Sequence, residues 1–444
     1  GRVTNPSTLS FLTVDDSYGN MPDKCPLEVI PHLLAAVDDA PDEPGPVVWV
    51  YPFDEYHEMT FGLEPRLEEV FFGDWFVRAA VNNGLPLNTV VSSGSFLASL
   101  QTRPDLWRER VLVSRAPDAD TPLEATFLRH LRSGGRVLLY GPLNHAGPRL
   151  LEKLNLALGE PVSGHMVMNL STYLDDIAEG GYSRKVNHNP LLTGGGVAET
   201  LADVSDAHTR VLASLNTAGG PRIAAVSRAL PEWDGGVLAW VRGADSYAYH
   251  KGAHLLTMAP ADQAFPGGAL MRLALACFGY EVSFVKRYPS QGSPVTCIAR
   301  HDGGFFLSGY TPDTTVGLRL RFPQGAPLLV GLETDLTDGR ATYHMPRAWH
   351  RECRVFISGQ EGGVVSCIEQ HSGEISVRRR LLLSGLRDAV LRFCPEQGTA
   401  GSVRMLQDPR YPYLVGNFLE PVPDPEHAGG LVATGVSGQL LISW

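Results

Sequence analysis

The sequence predicts an α/β plus all-β chain, in which a doubly wound sheet is followed by two β-sandwich domains. Three observations predict it. Residues 46–290 alternate short apolar runs with stretches of helical periodicity, the pattern of a parallel sheet covered by helices. From Pro294 onward the apolar period drops to two, and turn signals at Asp302-Gly303-Gly304, Pro312-Asp313 and Asp338-Gly339 separate the runs. The chain has 444 residues, more than one hydrophobic core organises.

Composition narrows the function classes. The net charge is −11 and no Lys/Arg stripe is present, which argues against a nucleic-acid partner. No apolar run reaches the roughly eighteen residues that a membrane span needs, which argues against a membrane partner. The 47 Gly and 33 Pro are spread along the chain, as many tight turns between short elements require. The cysteines, Cys25, Cys277, Cys297, Cys353, Cys367 and Cys394, form no C-x-x-C pair, so they read as small buried hydrophobes. No cofactor and no metal are expected. The chain begins at Gly1 without a signal peptide, which points to the cytoplasm rather than to secretion.

Residues 1–45 read as an N-terminal arm or the tail of an upstream domain. Leu9–Val14 reads as a strand, and Leu27, Ile30, Leu33, Leu34 and Val37 have helical spacing. Asp38–Pro46 has linker composition. The α/β domain, 46–290, opens with the apolar run Val47–Tyr51, a buried strand stopped by Pro52. A helix is predicted through Leu67–Asn82, where Phe71, Phe72, Trp75, Phe76, Ala79 and Ala80 recur at i, i+3 and i+4; Asn83-Gly84 ends it. Asn88–Ser92 and Val111–Val113 are the next strands. Thr121-Pro122-Leu123-Glu124 is a capping box with Pro at the first turn, and it starts a helix closed at Ser133-Gly134-Gly135. Arg136–Tyr140 is a strand. Gly147–Ala207 is less regular, and its run Gly194-Gly195-Gly196 lacks the Gly-Lys-Ser/Thr ending of a phosphate loop. Ile223–Val226 and Val237–Val241 read as a hairpin joined through Trp233-Asp234-Gly235-Gly236. Ala269–Phe278 is a buried helix. Residues 291–371 and 372–444 form the two β-sandwich domains, divided near His371-Ser372-Gly373.

The densest group of titratable side chains follows the first strand: Asp54, Glu55, His57 and Glu58, with Tyr56 among them. Ligands of open α/β sheets gather past the carboxyl ends of strands, and charges packed there drive their pKa values apart. Glu55 and Glu58 are the candidate catalytic pair. If the stretch turns helical they share a face. Asp54, Tyr56, His57 and Trp233 are the candidate ligand-binding residues. Trp233 is expected to be exposed because its neighbours form turns. The rival reading of 54–58 is a solvated acidic loop that caps the helix after it. Asp15-Asp16 with Tyr18, and Asp175-Asp176, read as turn or cap residues. His250 and His254 lie four apart without the Glu of His-Glu-x-x-His or a third ligand.

Three stretches carry a family resemblance. They are Gly73-Asp74-Trp75-Phe76 through Val90, Val111-Leu-Val-Ser-Arg-Ala-Pro-Asp118, and His130-Leu-Arg-Ser-Gly-Gly-Arg-Val-Leu-Leu-Tyr140. They resemble the glutamine-amidotransferase-like domain that follows the catalytic barrel in family 42 β-galactosidases, with related sugar phosphorylases alongside. The resemblance implies a carbohydrate partner. The chain would be the non-barrel part of a glycoside hydrolase that assembles as a homo-oligomer or with a catalytic barrel and completes a sugar site. Two departures count. The turn Gly141-Pro142-Leu143-Asn144-His145 has no Cys or Ser nucleophile, so amidotransferase activity is not expected. Upstream of residue 46 there is no room for an eight-stranded barrel, which takes about 200 residues. Two alternatives stand beside this one: a non-catalytic carbohydrate-binding or assembly protein, and a self-sufficient glycoside hydrolase that uses the 54–58 carboxylates.

Overall fold

A computed structural model describes residues 40–172, 176–177, 184–188, 196–243, 267–286, 293–311, 316–370, 378–410 and 415–444. The expectations for Leu9–Val14, Asp15-Asp16, Tyr18, Cys25, Leu27–Val37, Asp175, Gly194-Gly195, His250 and His254 lie outside the described residues, as do the side chains of Phe71, Phe72 and Trp75. The class is the α/β plus β-sandwich class that the sequence predicts.

Strands β1 (Val47–Tyr51), β2 (Thr89–Ser92), β3 (Val111–Arg115) and β4 (Arg136–Tyr140) are parallel and lie in the order β2-β1-β3-β4. Five helices follow these strands: α1 (Phe53–Phe61), α2 (Leu67–Asn82), α3 (Ser93–Thr102), α4 (Pro122–Arg132) and α5 (Pro148–Leu154). Both faces of β1, β3 and β4 are buried, which explains their continuous apolar runs, whereas the edge strand β2 leaves Val90 exposed. Val47, Trp49, Val111 and Val113 enter one hydrophobic cluster, and Val48, Val50, Leu112, Val137 and Leu139 the other.

The sheet is mixed rather than parallel throughout. Val237–Val241 pairs parallel to β4, but Gly220–Arg228, Thr209–Thr217, Gly164–Leu170 and Arg184–His188 then add antiparallel, to nine strands. The hairpin predicted between Val226 and Val237 is present, with Arg228 opposite Leu238. Trp233 departs from its expectation. It is only 1% exposed and packs into the α4/α5 side of the core. The neighbouring turn residues Glu232, Asp234 and Gly235 are exposed, while Trp233 is buried backbone and all, its carbonyl accepting from Gly134 N at 3.0 Å.

The box before α4 forms with one shift. Thr121 Oγ1 accepts from Glu124 N at 3.3 Å, but the Glu124 carboxylate takes the amide of Asp120, at 2.8 Å, instead of that of Thr121. The cause is Asp120 itself, which sits at φ 59° and turns its amide inward.

Among the described residues the β region forms a 15-stranded sheet system, which also takes in Asp176–Ile177. Glu281–Lys286, within the 46–290 stretch, pairs with Val316–Arg321 of that system. Gly362–Glu369 and Arg380–Phe393, on either side of residue 371, pair with each other. Arg380–Phe393 and Leu431–Ser443 run longer than their alternation suggests. Bulges near Gly385 (φ 86°) and Asp388 (φ 46°) interrupt the period of two without ending the strand. Among the described residues no helix is long and apolar enough to cross a membrane, and no three His, Cys, Asp or Glu are grouped to hold a metal.

Candidate functional site

The 54–58 stretch is helical. Pro52 ends β1 and precedes α1, where Asp54 and Glu55 occupy the first turn and favour the helix dipole. Tyr56 and Met59 form the buried stripe, at 5% and 2% exposure. The Tyr56 ring meets Tyr51 edge-on at 5.6 Å. Glu55 and Glu58 fall on one side of the helix, as the spacing predicts, but they differ in surroundings: Glu55 is half-buried and Glu58 exposed. Glu55 turns to α3, where Ser93 Oγ donates to its Oε2 at 2.6 Å. Asp54 lies over Gly94, so that a Cβ there would come within 2.9 Å of its Oδ2. Both carboxylates thus sit at the positive end of α3, whose own cap is Ser92. His57 and Glu58 face outward, and His57 is tilted against Phe61 at 5.1 Å.

The larger convergence of charge lies one strand away. With β2 on one side of β1 and β3 on the other, the chain reverses its strand order between β1 and β3, and a crevice opens beyond their carboxyl ends. Arg115 is the last residue of β3, a strand buried at all five positions. A guanidinium so placed needs carboxylates, and it finds two. Arg115 Nη2 donates to Glu69 Oε2 and to Asp118 Oδ1, each at 2.9 Å. Arg66, at the N-terminus of α2, spans the same Asp118 with Nη1 at 3.4 Å and Nη2 at 2.5 Å. His145, from the turn after β4, brings Nε2 to 3.5 Å from Glu69 Oε1. Glu64, Arg66, Asp118, Ala119 and His145 line a pocket of about 350 Å³.

These charges set one another's acidity. Burial alone would lower the Arg115 pKa, but the Asp118 and Glu69 carboxylates outweigh it and raise it. Burial would raise the Asp118 pKa, but Arg115 and Arg66 hold it below the usual carboxylate range. Asp118 is therefore an ionised acceptor at neutral pH.

The turn that carries His145 is pinned from below. Gly141 adopts φ 95°, and its carbonyl accepts from Trp240 Nε1 at 2.8 Å. Leu143 N donates to Glu199 at 3.4 Å. Glu199 is in turn clamped by the fully buried Arg242, with Nε 2.9 Å from Oε2. Ala119 N donates to the His145 carbonyl at 2.8 Å and ties the β3 and β4 loops together.

In the sequence, the strand-end rule singles out the charged residues after β1. The same rule at β3 and β4 points to Asp118 and His145. Arg66 and Glu69 carry no such signal, because the break between α1 and α2 brings them back. There Gly62 N returns to the Glu58 carbonyl and Arg66 N to the Met59 carbonyl, each at 2.7 Å.

The chain matches no protein-family model and no curated protein. Among solved structures it is similar to the exo-beta-1,4-mannosidase Op5Man5 from Opitutaceae bacterium strain TAV5, at 12% identity and a TM-score of 0.30. The match covers 49% of this chain and spans 34% of the mannosidase, a weak likeness to a glycoside hydrolase that establishes neither a common site nor a common activity.

Proposed function

We propose that this is a carbohydrate-active protein whose α/β part, residues 46–290, holds a sugar in the crevice beyond β1, β3 and β4, with 291–371 and 372–444 as β-sandwich units. The observation that carries the reading is the charge balance of the pocket. Of the lining side chains, Arg66 is already paired with Asp118, which the buried Arg115 and Glu69 back from behind, and Glu64 adds a second carboxylate at the wall. An anion gains little there, and the lining offers little to an apolar ligand. A polyhydroxylated ring suits it: its hydroxyls donate to spare carboxylate lone pairs and accept from guanidinium and imidazole N–H groups. The volume lies at the small end of ligand clefts.

The pocket's own residues favour binding over cleavage. Glycoside hydrolysis needs one neutral carboxylic acid beside an ionised one. Asp118 is held ionised and Glu69 is committed to Arg115. In this reading α1, with Asp54, Glu55, Tyr56, His57 and Glu58, flanks the sugar. A homo-oligomeric copy or a barrel-bearing chain supplies the chemistry across the exposed Phe53, Phe61 and Leu63.

Calorimetric and NMR titration with galactose, mannose and their β-linked disaccharides tests the reading. Saturable binding by the wild type that weakens about tenfold or more in Asp118→Asn is expected, the cost of an altered charged hydrogen-bond partner. Absence of binding to the whole panel would reject it.

A further inference from the structure

The opposite end of the parallel sheet carries a second charged cluster, and its balance is different. Arg110 precedes β3, Arg136 opens β4, and Arg300 lies on the strand Val295–His301. Glu43 joins two of them: Arg110 Nη2 reaches its Oε2 at 3.2 Å and Arg300 Nη2 at 3.6 Å. Asp42 N donates to the Arg300 carbonyl at 3.2 Å and holds this segment on that strand. Arg300 also stacks over Phe305, with its central carbon 4.3 Å from the ring centroid, which fixes the guanidinium plane. Tyr280 is buried beside all three arginines. Three cations thus face two carboxylates, Glu43 and the exposed Glu109.

Two features mark the cluster as underfilled. The Nε atoms of both Arg110 and Arg300 are buried without a hydrogen-bond partner among the described residues. An unmet buried donor is costly, and on a guanidinium Nε–H belongs to the fork that grips an oxyanion. Arg110 also has a lowered pKa, first from burial and next from the neighbouring charge of Arg300, so two like charges are held close with one shared counter-charge.

We propose that Arg110 and Arg300, with Glu43 as the internal carboxylate that competes for them, form a binding site for a phosphate-class oxyanion at the seam between the α/β sheet and the β region. The site is independent of the sugar pocket, since it lies at the amino ends of β3 and β4. The two side chains keep 13% and 19% exposure, all of it away from Nε, so an anion reaches them without unfolding and takes the buried Nε–H donors as the side chains turn toward it.

Thermal melts and calorimetry at constant ionic strength test this, with inorganic phosphate, glycerol 2-phosphate and acetate titrated in parallel against chloride. About 50 mM of the preferred phosphate should raise the wild-type Tm by roughly 2 °C if binding is in the millimolar range. A response to either phosphate supports the site, and the stronger of the two tells free phosphate from a phosphate ester. Glu43→Gln removes the competitor, so it should bind about tenfold tighter, whereas Arg300→Gln should lose the response. Should Arg300→Gln not fold, Glu43→Gln still decides, because a purely structural ion pair gives no gain in affinity. No phosphate response in both the wild type and Glu43→Gln, or a response to acetate alone, would overturn the proposal.

Discussion

Arg115 and Glu69 meet at 2.9 Å with side chains only 7% and 6% exposed, from the end of a strand and the first turn of a helix 46 positions apart. A pair buried this deeply gains little over an apolar pair of the same shape, but it punishes the loss of one member. It also fixes the angle at which α2 leaves the crevice.

Glu69→Leu should therefore destabilise the protein by about 3 kcal/mol, and Arg115→Met by a similar amount. The double variant should recover most of the loss. Urea denaturation of the three variants checks this, and additive losses would show that the two side chains act separately.

Asp118 should make stability depend on acid. Its folded pKa lies below that of the unfolded chain, because Arg115 and Arg66 outweigh the opposing effect of burial. The ionised form thus contributes stability that is fully present above about pH 3.9 and is lost as the pH falls through the folded pKa. Denaturation midpoints measured from pH 6 downward should fall more steeply in the wild type than in Asp118→Asn.

His130 should act in a higher window. Burial lowers its pKa to about 4, and its Nε2 has no hydrogen-bond partner among the described residues. As the pH falls, the unfolded chain takes up the proton first, so stability is full above about pH 6.5 and declines toward pH 4, by roughly 2–3 kcal/mol in all. His130→Gln should flatten that part of the profile. An unchanged profile, or an imidazole that titrates near 6.5 by NMR, would contradict the burial argument.

On α1, Glu55→Gln should cost about 1 kcal/mol through the weakened bond to Ser93, whereas Glu58→Gln should stay within roughly 0.5 kcal/mol. Neither should weaken sugar binding as much as Asp118→Asn if α1 only flanks the ligand. A loss of several orders of magnitude in glycoside turnover for either variant, in an assembly that cleaves glycosides, would instead make that residue catalytic.

Phe53, Phe61 and Leu63 are 62%, 76% and 103% exposed along α1 and the turn after it. Sedimentation of the wild type should reveal an assembly, and Phe61→Ser with Leu63→Ser should shift it toward the monomer while leaving the melting profile of each chain intact.

Most of the fold was legible where one physical cause dominated. The apolar runs of β1, β3 and β4 are buried on both faces, the stripe of α2 has helical spacing, and the period of two marks the β region. Legibility failed where causes competed. Gly, Asp and Trp together at 233–236 signal a turn, but the indole is the largest apolar group there and the core takes it. Asp54, Glu55, His57 and Glu58 share one helix, yet only Glu55 finds a side-chain hydrogen-bond partner among the described residues, Ser93 of α3, while His57 and Glu58 stay exposed. The ion network of Arg66, Glu69, Arg115 and Asp118 spans 53 positions by count from 66 to 118, and only the sheet order brings it together.

One apolar cluster runs without interruption from Val47 and Val113 through Phe278 and Phe284 to Phe322, Cys353 and Trp444. The parallel layer and the β layer therefore share one dry core, with no hydrated boundary at which they part. Calorimetry should record a single endotherm, with calorimetric and van't Hoff enthalpies in agreement. A protease that cuts between Lys286 and Ser293 should leave the fragments associated, because separation would hand the surfaces around Tyr280 and Phe284 to water. Either half expressed alone should self-associate or precipitate, and mixing the halves under native conditions should restore the joint melt.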